Sequence, residues 1–160
     1  MEIIELWKIN AMVLAHMFKK DLTFRTHPVM AEYGLSDLNG VYIFTLSQGP
    51  CTLKSLSDRL NVDKANTTRA IAQMKAKNVV NDNKELDKSR KFEVFLTDTG
   101  KEIAQKLIKI YDAAYKEYFR GLSDEDIATM VDIMRRIALN IDPNIASYIE
   151  SDETLCPSNK

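Results

Sequence analysis

Apolar positions recur along this chain at intervals of three and four residues, and in one stretch after residue 78 they alternate instead. Between residues 2 and 20, Ile3, Leu6, Trp7, the Met12 to Leu14 run, Met17 and Phe18 fall at roughly helical spacing with charges between them. That spacing predicts a long first helix. It should end before Thr26-His27-Pro28, because proline disfavours helical geometry in the residue before it. Ser36 is a good N-cap for a second helix, through Leu38, Val41, Tyr42 and Leu46 to a stop at Gly49-Pro50. This helix is apolar around most of its circumference and should be central.

Thr52 should cap a short third helix in which Leu53, Leu56 and Leu60 form a single buried stripe. Asn61 tolerates the left-handed conformation, Val62 can plug the turn, and Asp63 caps the next helix, DKANTTRAIAQMKAK. Two short helices joined so tightly make a helix-turn-helix. Val79-Val80 can start one strand, and Phe92, Val94 and Leu96 alternate in another, with the polar segment Asn81 to Lys91 between them as the tip of a hairpin. Thr97 then caps a long helix bearing Ile103, Leu107, Ile110, Tyr111, Ala114, Tyr115 and Tyr118. Ser123 with Asp126 starts a last one, from Ile127 to Ile141. The fold class expected is mostly α with a small β-hairpin.

Composition narrows the function classes. A chain of 160 residues with 45% hydrophobic residues can bury a core, and five glycines with four prolines leave few turns for an all-β fold. The amino-terminal apolar run is interrupted by Asn10 and His16, which suits neither a signal peptide nor a membrane span, so no membrane partner is expected. Cys51 and Cys156 belong to no CxxC or Cys/His cluster, which argues against a disulfide framework or a structural zinc and for a reducing cytoplasm. No catalytic set is visible: there is no Ser-His-Asp combination, phosphate loop, dinucleotide fingerprint or metal-spaced pair of histidines. An enzyme, a cofactor and a metal are therefore not expected. Net charge is −1, yet residues 51–96 hold ten Lys/Arg against six Asp/Glu, and the remainder twelve against seventeen. The positive charge gathers around the helix-turn-helix, as a nucleic-acid partner would require.

A helix-turn-helix followed by a charged hairpin and flanked by long helices resembles the winged-helix regulators of the MarR (multiple antibiotic resistance regulator) family. The resemblance is carried by LSDLNGVYIFTLSQGPCTLKSLSDRLNVDKANTTRAIAQMKAKNVV, residues 35–80, and RKFEVFLTDTG, residues 90–100. The family's usual glycine after the reading helix is Asn78 here, and its acidic residue two positions before the wing arginine is Lys88. The resemblance implies a winged helix-turn-helix at 35–97 and a dimerisation region of helices at 1–34 and 98–149, and the polar residues 150–160 read as a flexible tail.

At about 100° per residue, Thr67, Ala70, Ile71 and Met74 share one side of the reading helix, and Ala65, Thr68, Arg69, Ala72, Gln73 and Ala76 the other. A helix entering a major groove roughly 12 Å wide needs small residues on its outer face and a few long donors among them. Arg69 and Gln73 are the candidate base readers, since arginine suits guanine and glutamine adenine. Asn66 and Thr68 join them near the helix start. Lys64, Lys75 and the Thr52 hydroxyl can reach phosphates. Arg90, with Lys88 and Lys91 beside it, is the candidate for an adjacent minor groove, a role the resemblance also implies. One protomer would cover a half-site weakly, so a palindromic double-stranded operator and a homodimer through residues 2–20 and 101–141 are expected.

Family members are typically repressors released by small phenolic or lipophilic molecules, which the resemblance extends to this chain. Trp7, His16, Phe18, Tyr42, Tyr111 and Tyr115 are the possible walls of an aromatic pocket. The competing reading is a winged-helix dimer acting as a protein-interaction adaptor without specific DNA binding, since fold does not fix function.

Overall fold

The computed structural model describes residues 3–84 and 92–145. Along them run α1 (Ile3–Glu32), α2 (Asp37–Leu46), β1 (Cys51–Thr52), α3 (Leu53–Leu60), α4 (Lys64–Ala76), β2 (Val80–Asp82), β3 (Glu93–Leu96), α5 (Asp98–Tyr118) and α6 (Asp124–Ile141), with a 3-10 turn at Pro143–Ile145. The expected class, mostly α with a small β component, is the one adopted. The expected tail, 150–160, lies outside the described residues.

Helix α2 is the hub. Ser36 caps it in a reciprocal box with Asn39, whose Oδ1 accepts from the Ser36 amide at 2.9 Å and from its hydroxyl at 2.7 Å. Asn39, Gly40, Tyr42, Ile43, Thr45 and Leu46 are all buried. Around α2 the core collects Met30 from α1, Leu56 from α3, Met74 from α4, Val94 from β3, and Ile103 and Leu107 from α5. A helix so short is stable only because its neighbours cover most of its circumference, Leu38, Val41 and Phe44 remaining exposed.

Helix α1 departs from the sequence expectation. It runs through Pro28 to Glu32 instead of ending before the Thr26-His27-Pro28 break. Pro28 removes the amide that would bond the Phe24 carbonyl, but Phe24 and Pro28 lie on the exposed side of the helix, where water can take that carbonyl. Continuing the helix seats Met30 in the core with no exposure at all, and the Thr26 hydroxyl donates to the Leu22 carbonyl at 2.8 Å. Burying a side chain of that size is worth about 1.5–3 kcal/mol, which offsets much of the cost of an interior proline, about 3 kcal/mol. The last third of α1 therefore belongs to the same core as α2, and only its first part stands clear.

The sheet has three strands, where the hairpin alone supplies two. Its order is β1-β3-β2, antiparallel throughout, with Cys51 opposite Val94, Val80 opposite Leu96 and Asp82 opposite Val94. Cys51 is buried at the start of β1. Cys156 lies outside the described residues.

The sheet, α4 and α5 meet at one point. Asn78 takes the left-handed conformation (φ 56°), ending α4 and releasing Val79 into the sheet. The Val79 carbonyl accepts from the Thr97 amide at 3.1 Å, and the Thr97 hydroxyl proton lies between the Asn78 carbonyl at 2.7 Å and the Val79 carbonyl at 3.0 Å. The same hydroxyl oxygen caps α5 by accepting from the Gly100 amide at 3.1 Å. A Cβ at Gly100 would lie 2.1 Å from the Val79 carbonyl oxygen, a contact only glycine allows. At Gly40, by contrast, the nearest atom to an added Cβ is the Met30 sulfur at 3.5 Å. Gly100→Ala is expected to lose about 3 kcal/mol or more of stability through overpacking against backbone, whereas Gly40→Ala should be neutral or gain up to about 1 kcal/mol from helix propensity. Equal midpoints for the two variants in urea unfolding would refute this account of the junction.

Candidate nucleic-acid interface

The turn between α3 and α4 is built as its residues dictate. Thr52 caps α3, its Oγ1 accepting from the Ser55 amide at 3.1 Å and leaving the hydroxyl proton outside that bond. Asn61 is left-handed (φ 48°), the Val62 amide closes on the Ser57 carbonyl at 3.0 Å, and Asp63 Oδ1 accepts from the Ala65 amide at 2.8 Å. On α4, Thr67, Ala70, Ile71 and Met74 are buried. Thr67 shares a hydrogen bond with the Tyr42 hydroxyl at 3.2 Å, both residues having no solvent exposure. That bond fixes the rotation of α4 about its own axis. Ala65, Thr68, Arg69, Ala72, Gln73 and Ala76 consequently face outward.

The long side chains on this face are not all in the same situation. Arg69 is laid along the helix, with Nη2 donating to Asn66 Oδ1 and Nε to the Ala65 carbonyl at 3.4 Å. The Thr68 hydroxyl turns back to the Lys64 carbonyl at 2.9 Å. Lys64 and Gln73 are exposed. Lys75, allotted to phosphate on sequence grounds, instead reaches across to β2, where its Nζ donates to Asp82 Oδ2 at 2.7 Å. That bond holds the Asp82 carboxyl below the ordinary carboxylate range, against the opposing effect of partial burial. Asp82 Oδ1 also accepts from the Lys84 amide at 3.2 Å. Next to it Asn83 extends the ladder, its Oδ1 accepting from the Glu93 amide at 2.7 Å and its amide donating to the Glu93 carbonyl at 3.2 Å. Lys84 Nζ sits 5.6 Å from the centre of the Phe92 ring. Sequence reasoning passed over Asp82 and Asn83, although a run of side chains that favour turns, Asn81 to Asn83, straight after an apolar pair is a signal of a strand neck. Lys88, Arg90 and Lys91 lie outside the described residues.

No family model matches the chain. Among curated relatives it is 28% identical over 110 residues to the HTH-type transcriptional regulator BilQ of Clostridioides difficile, covering 59% of this chain and 74% of that one. It is 22% identical over 134 residues to the HTH-type transcriptional regulator SarZ of Staphylococcus epidermidis, covering 82% and 89%. Among solved structures, a MarR-family regulator from Silicibacter pomeroyi superposes with a TM-score of 0.73 at 20% identity, over 88% of this chain and 97% of that one. This is the MarR fold. The regulator SlyA matches with a TM-score of 0.72 at 16% identity, over 84% of this chain and 95% of SlyA. An organohalide-sensing regulator solved with 2,4-dichlorophenol matches at 0.71 and 16% identity, over 100% of this chain and 92% of that one. Relatives and neighbours alike are transcriptional regulators, which does not favour the adaptor reading.

Within the MarR fold of this chain, a cavity of about 280 Å³ opens between α1, α2 and α5. Tyr111 and Tyr115, both expected there, line it, together with Lys19, Leu22, Thr23, Thr26, Asp37, Val41 and Phe44. Burial pushes the Tyr111 phenol above its ordinary range, and its ring meets Phe44 edge-on at 5.0 Å. The other four expected walls lie elsewhere. Tyr42 is locked into the core by Thr67, Phe18 packs on Tyr118 at 5.0 Å, and Trp7 and His16 are exposed on the first part of α1. Lys19, Leu22, Thr23 and Thr26 share one helical face, and they were missed because only aromatic and histidine side chains were considered as walls.

Beside this cavity α1 is tied to α5. Arg25 bonds Asp21 at 2.6 Å and Glu117 at 2.7 Å, and the Tyr118 hydroxyl donates to Asp21. Burial and the Asp21 carboxylate push the Tyr118 phenol up to about 12. Because the folded value exceeds the ordinary one, this group's stabilisation is complete below pH 10 and is lost as pH rises toward 12. Tyr118→Phe should therefore flatten the fall in melting temperature across that window, and parallel curves for variant and parent would show that Tyr118 titrates as it does in the unfolded chain.

Proposed function

We propose that this protein is a sequence-specific double-stranded DNA-binding transcriptional regulator acting as a homodimer. One observation carries the reading: α4 presents a face of alanines that also bears the exposed Arg69 and Gln73, in a helix-turn-helix followed by a strand pair. Small residues near the axis allow the helix to enter a major groove, where the two long side chains meet base edges. Lys64 and the amides at the start of α3 are placed for phosphates on either side. Residues 35–97 form the DNA-binding unit in this reading, with Lys88, Arg90 and Lys91 serving a minor groove.

The dimer is supported by what one chain leaves uncovered. No residue of α6 is buried, and Val131, Met134, Ile137 and Ile141 are exposed on it. Ile3, Leu6, Trp7, Met12 and Met17 are likewise exposed on the first part of α1, Ile3 to 85%. Apolar faces of that extent on two helices call for a covering surface, and a second copy brings the two reading helices to a two-fold-related spacing. The cavity between α1, α2 and α5 is the proposed site for a phenolic or lipophilic effector. Its tyrosines and Lys19 suit an aromatic acid, and a structural neighbour was solved with a chlorinated phenol.

The decisive experiment is a mobility shift on the DNA flanking the protein's own gene, against scrambled DNA. Arg69→Ala should weaken specific binding by about 1–3 kcal/mol and relax sequence preference, while Lys64→Ala should weaken all sequences alike and lower the salt slope by about 1. Equal binding of native and scrambled DNA would reject the specific reading. Salicylate or chlorophenols at millimolar concentration should raise the melting temperature and release the DNA, with Tyr111→Ala abolishing both effects; no thermal shift in the parent would remove the effector site.

A further inference from the structure

Lys75 and Asp82 join two parts of the interface that touch DNA separately. Lys75 is in the last turn of α4, and Asp82 is the last residue of β2, where the chain leaves the sheet for the wing. The Asp82 side chain is only 12% exposed, and its two oxygens are divided between the Lys75 ammonium at 2.7 Å and the Lys84 amide at 3.2 Å. One carboxylate thus holds the end of the reading helix and the first residue of the wing together. Opposite it, Asn83 completes the ladder with Glu93, so the neck is held from both strands.

We propose that Asp82 is a positioning residue for DNA recognition: clasped by Lys75, it fixes the direction in which the wing leaves the sheet relative to α4. This inference rests on the DNA-binding reading above. A reading helix and a wing that enter neighbouring grooves must be set at one angle to engage together, and an unclasped neck must be ordered at the moment of binding, at an entropic cost. In this arrangement Lys75 serves the protein and not the DNA. Its charge is compensated by Asp82, so its contribution to counterion release is small.

Binding is measured by fluorescence anisotropy on the protein's own operator, at several salt concentrations, for the parent, Asp82→Asn, Lys75→Met, Arg90→Ala and the doubles of the first two with Arg90→Ala. Thermal melts confirm that each dimer is folded, and Lys75→Met, a change at a solvent-facing side chain, serves if Asp82→Asn unfolds. The expected result is a loss of about tenfold for Asp82→Asn and for Lys75→Met, equal to about 1.4 kcal/mol, with an unchanged salt slope. Both losses should vanish in the Arg90→Ala background, because the wing no longer contributes there. A fall in slope of about 1 for Lys75→Met, with no effect of Asp82→Asn, would overturn the proposal and make Lys75 an ordinary phosphate contact. Losses that persist undiminished without Arg90 would also overturn it, since the clasp would then act on the helix alone. If the parent binds no DNA, the functional reading itself fails, an outcome separate from these two.

Discussion

The placement of α4 against the sheet and α5 depends on one carbonyl oxygen, that of Val79. It takes a hydrogen bond from the Thr97 amide, the Thr97 hydroxyl lies between it and the Asn78 carbonyl, and the first turn of α5 closes on it at Gly100. Three elements are therefore fixed relative to one another: the end of the reading helix through Asn78, the paired strands through Val80 and Leu96, and the start of α5 through its cap. A buried backbone acceptor deprived of these donors would cost about 1–3 kcal/mol, and a β-carbon at residue 100 would push the elements apart. The LTDTG segment is a structural device before it is a family signature.

From that junction the division of α4 into two faces follows. Thr67 and Tyr42 meet in the core, and a one-residue rotation of α4 would take this hydrogen bond away and expose Ile71 or Met74. The polar face is thus set from inside. Its alanines contribute little to packing, and helix propensity alone would explain their presence. Ala65, Ala72 and Ala76 stand around Arg69 and Gln73 on the outer face, as a helix entering a groove requires.

Much of this was legible in the sequence, for a reason that the capping residues make plain. Ser36, Thr52, Asp63, Thr97 and Ser123 each mark the start of a helix through a local interaction, and local interactions are written in adjacent residues. The two faces of α4 were legible by periodicity. What escaped was set by distance. Strand β1 has two residues, too few for a period, and exists because Cys51 and Thr52 find β3 more than forty positions later. Helix α1 continues past Pro28 because Met30 finds the core around α2, a reward invisible at the proline itself. Lys75 looked like any cation at the end of a basic helix until the fold placed Asp82 beside it. Of the six aromatic and histidine positions assigned to a pocket, Tyr111 and Tyr115 line the cavity between α1, α2 and α5, since helical spacing identifies an apolar face without saying what covers it.

The continuity of α1 decides how the two halves of the molecule can influence each other. Arg25, Asp21, Glu117 and Tyr118 tie α1 to α5 at one level. Farther along α1, Lys106 reaches Glu32 at 3.3 Å and the Tyr33 hydroxyl at 2.8 Å, and that hydroxyl donates to Glu102 at 2.8 Å. Exposed ion pairs of this kind are worth only about 0–1 kcal/mol each, so they set the register of the two helices more than they hold them together. The holding is done by Met30, whose truncation should cost about 2–5 kcal/mol, and it sits on the same stretch of α1 that reaches α2. A helix that begins on an uncovered apolar face and ends in the core beneath α2 cannot tilt at one end alone. On the proposed reading, anything that wedges α1 from α2 in the cavity between them therefore moves the base on which α4 is seated, and changes the spacing of two reading helices without touching either.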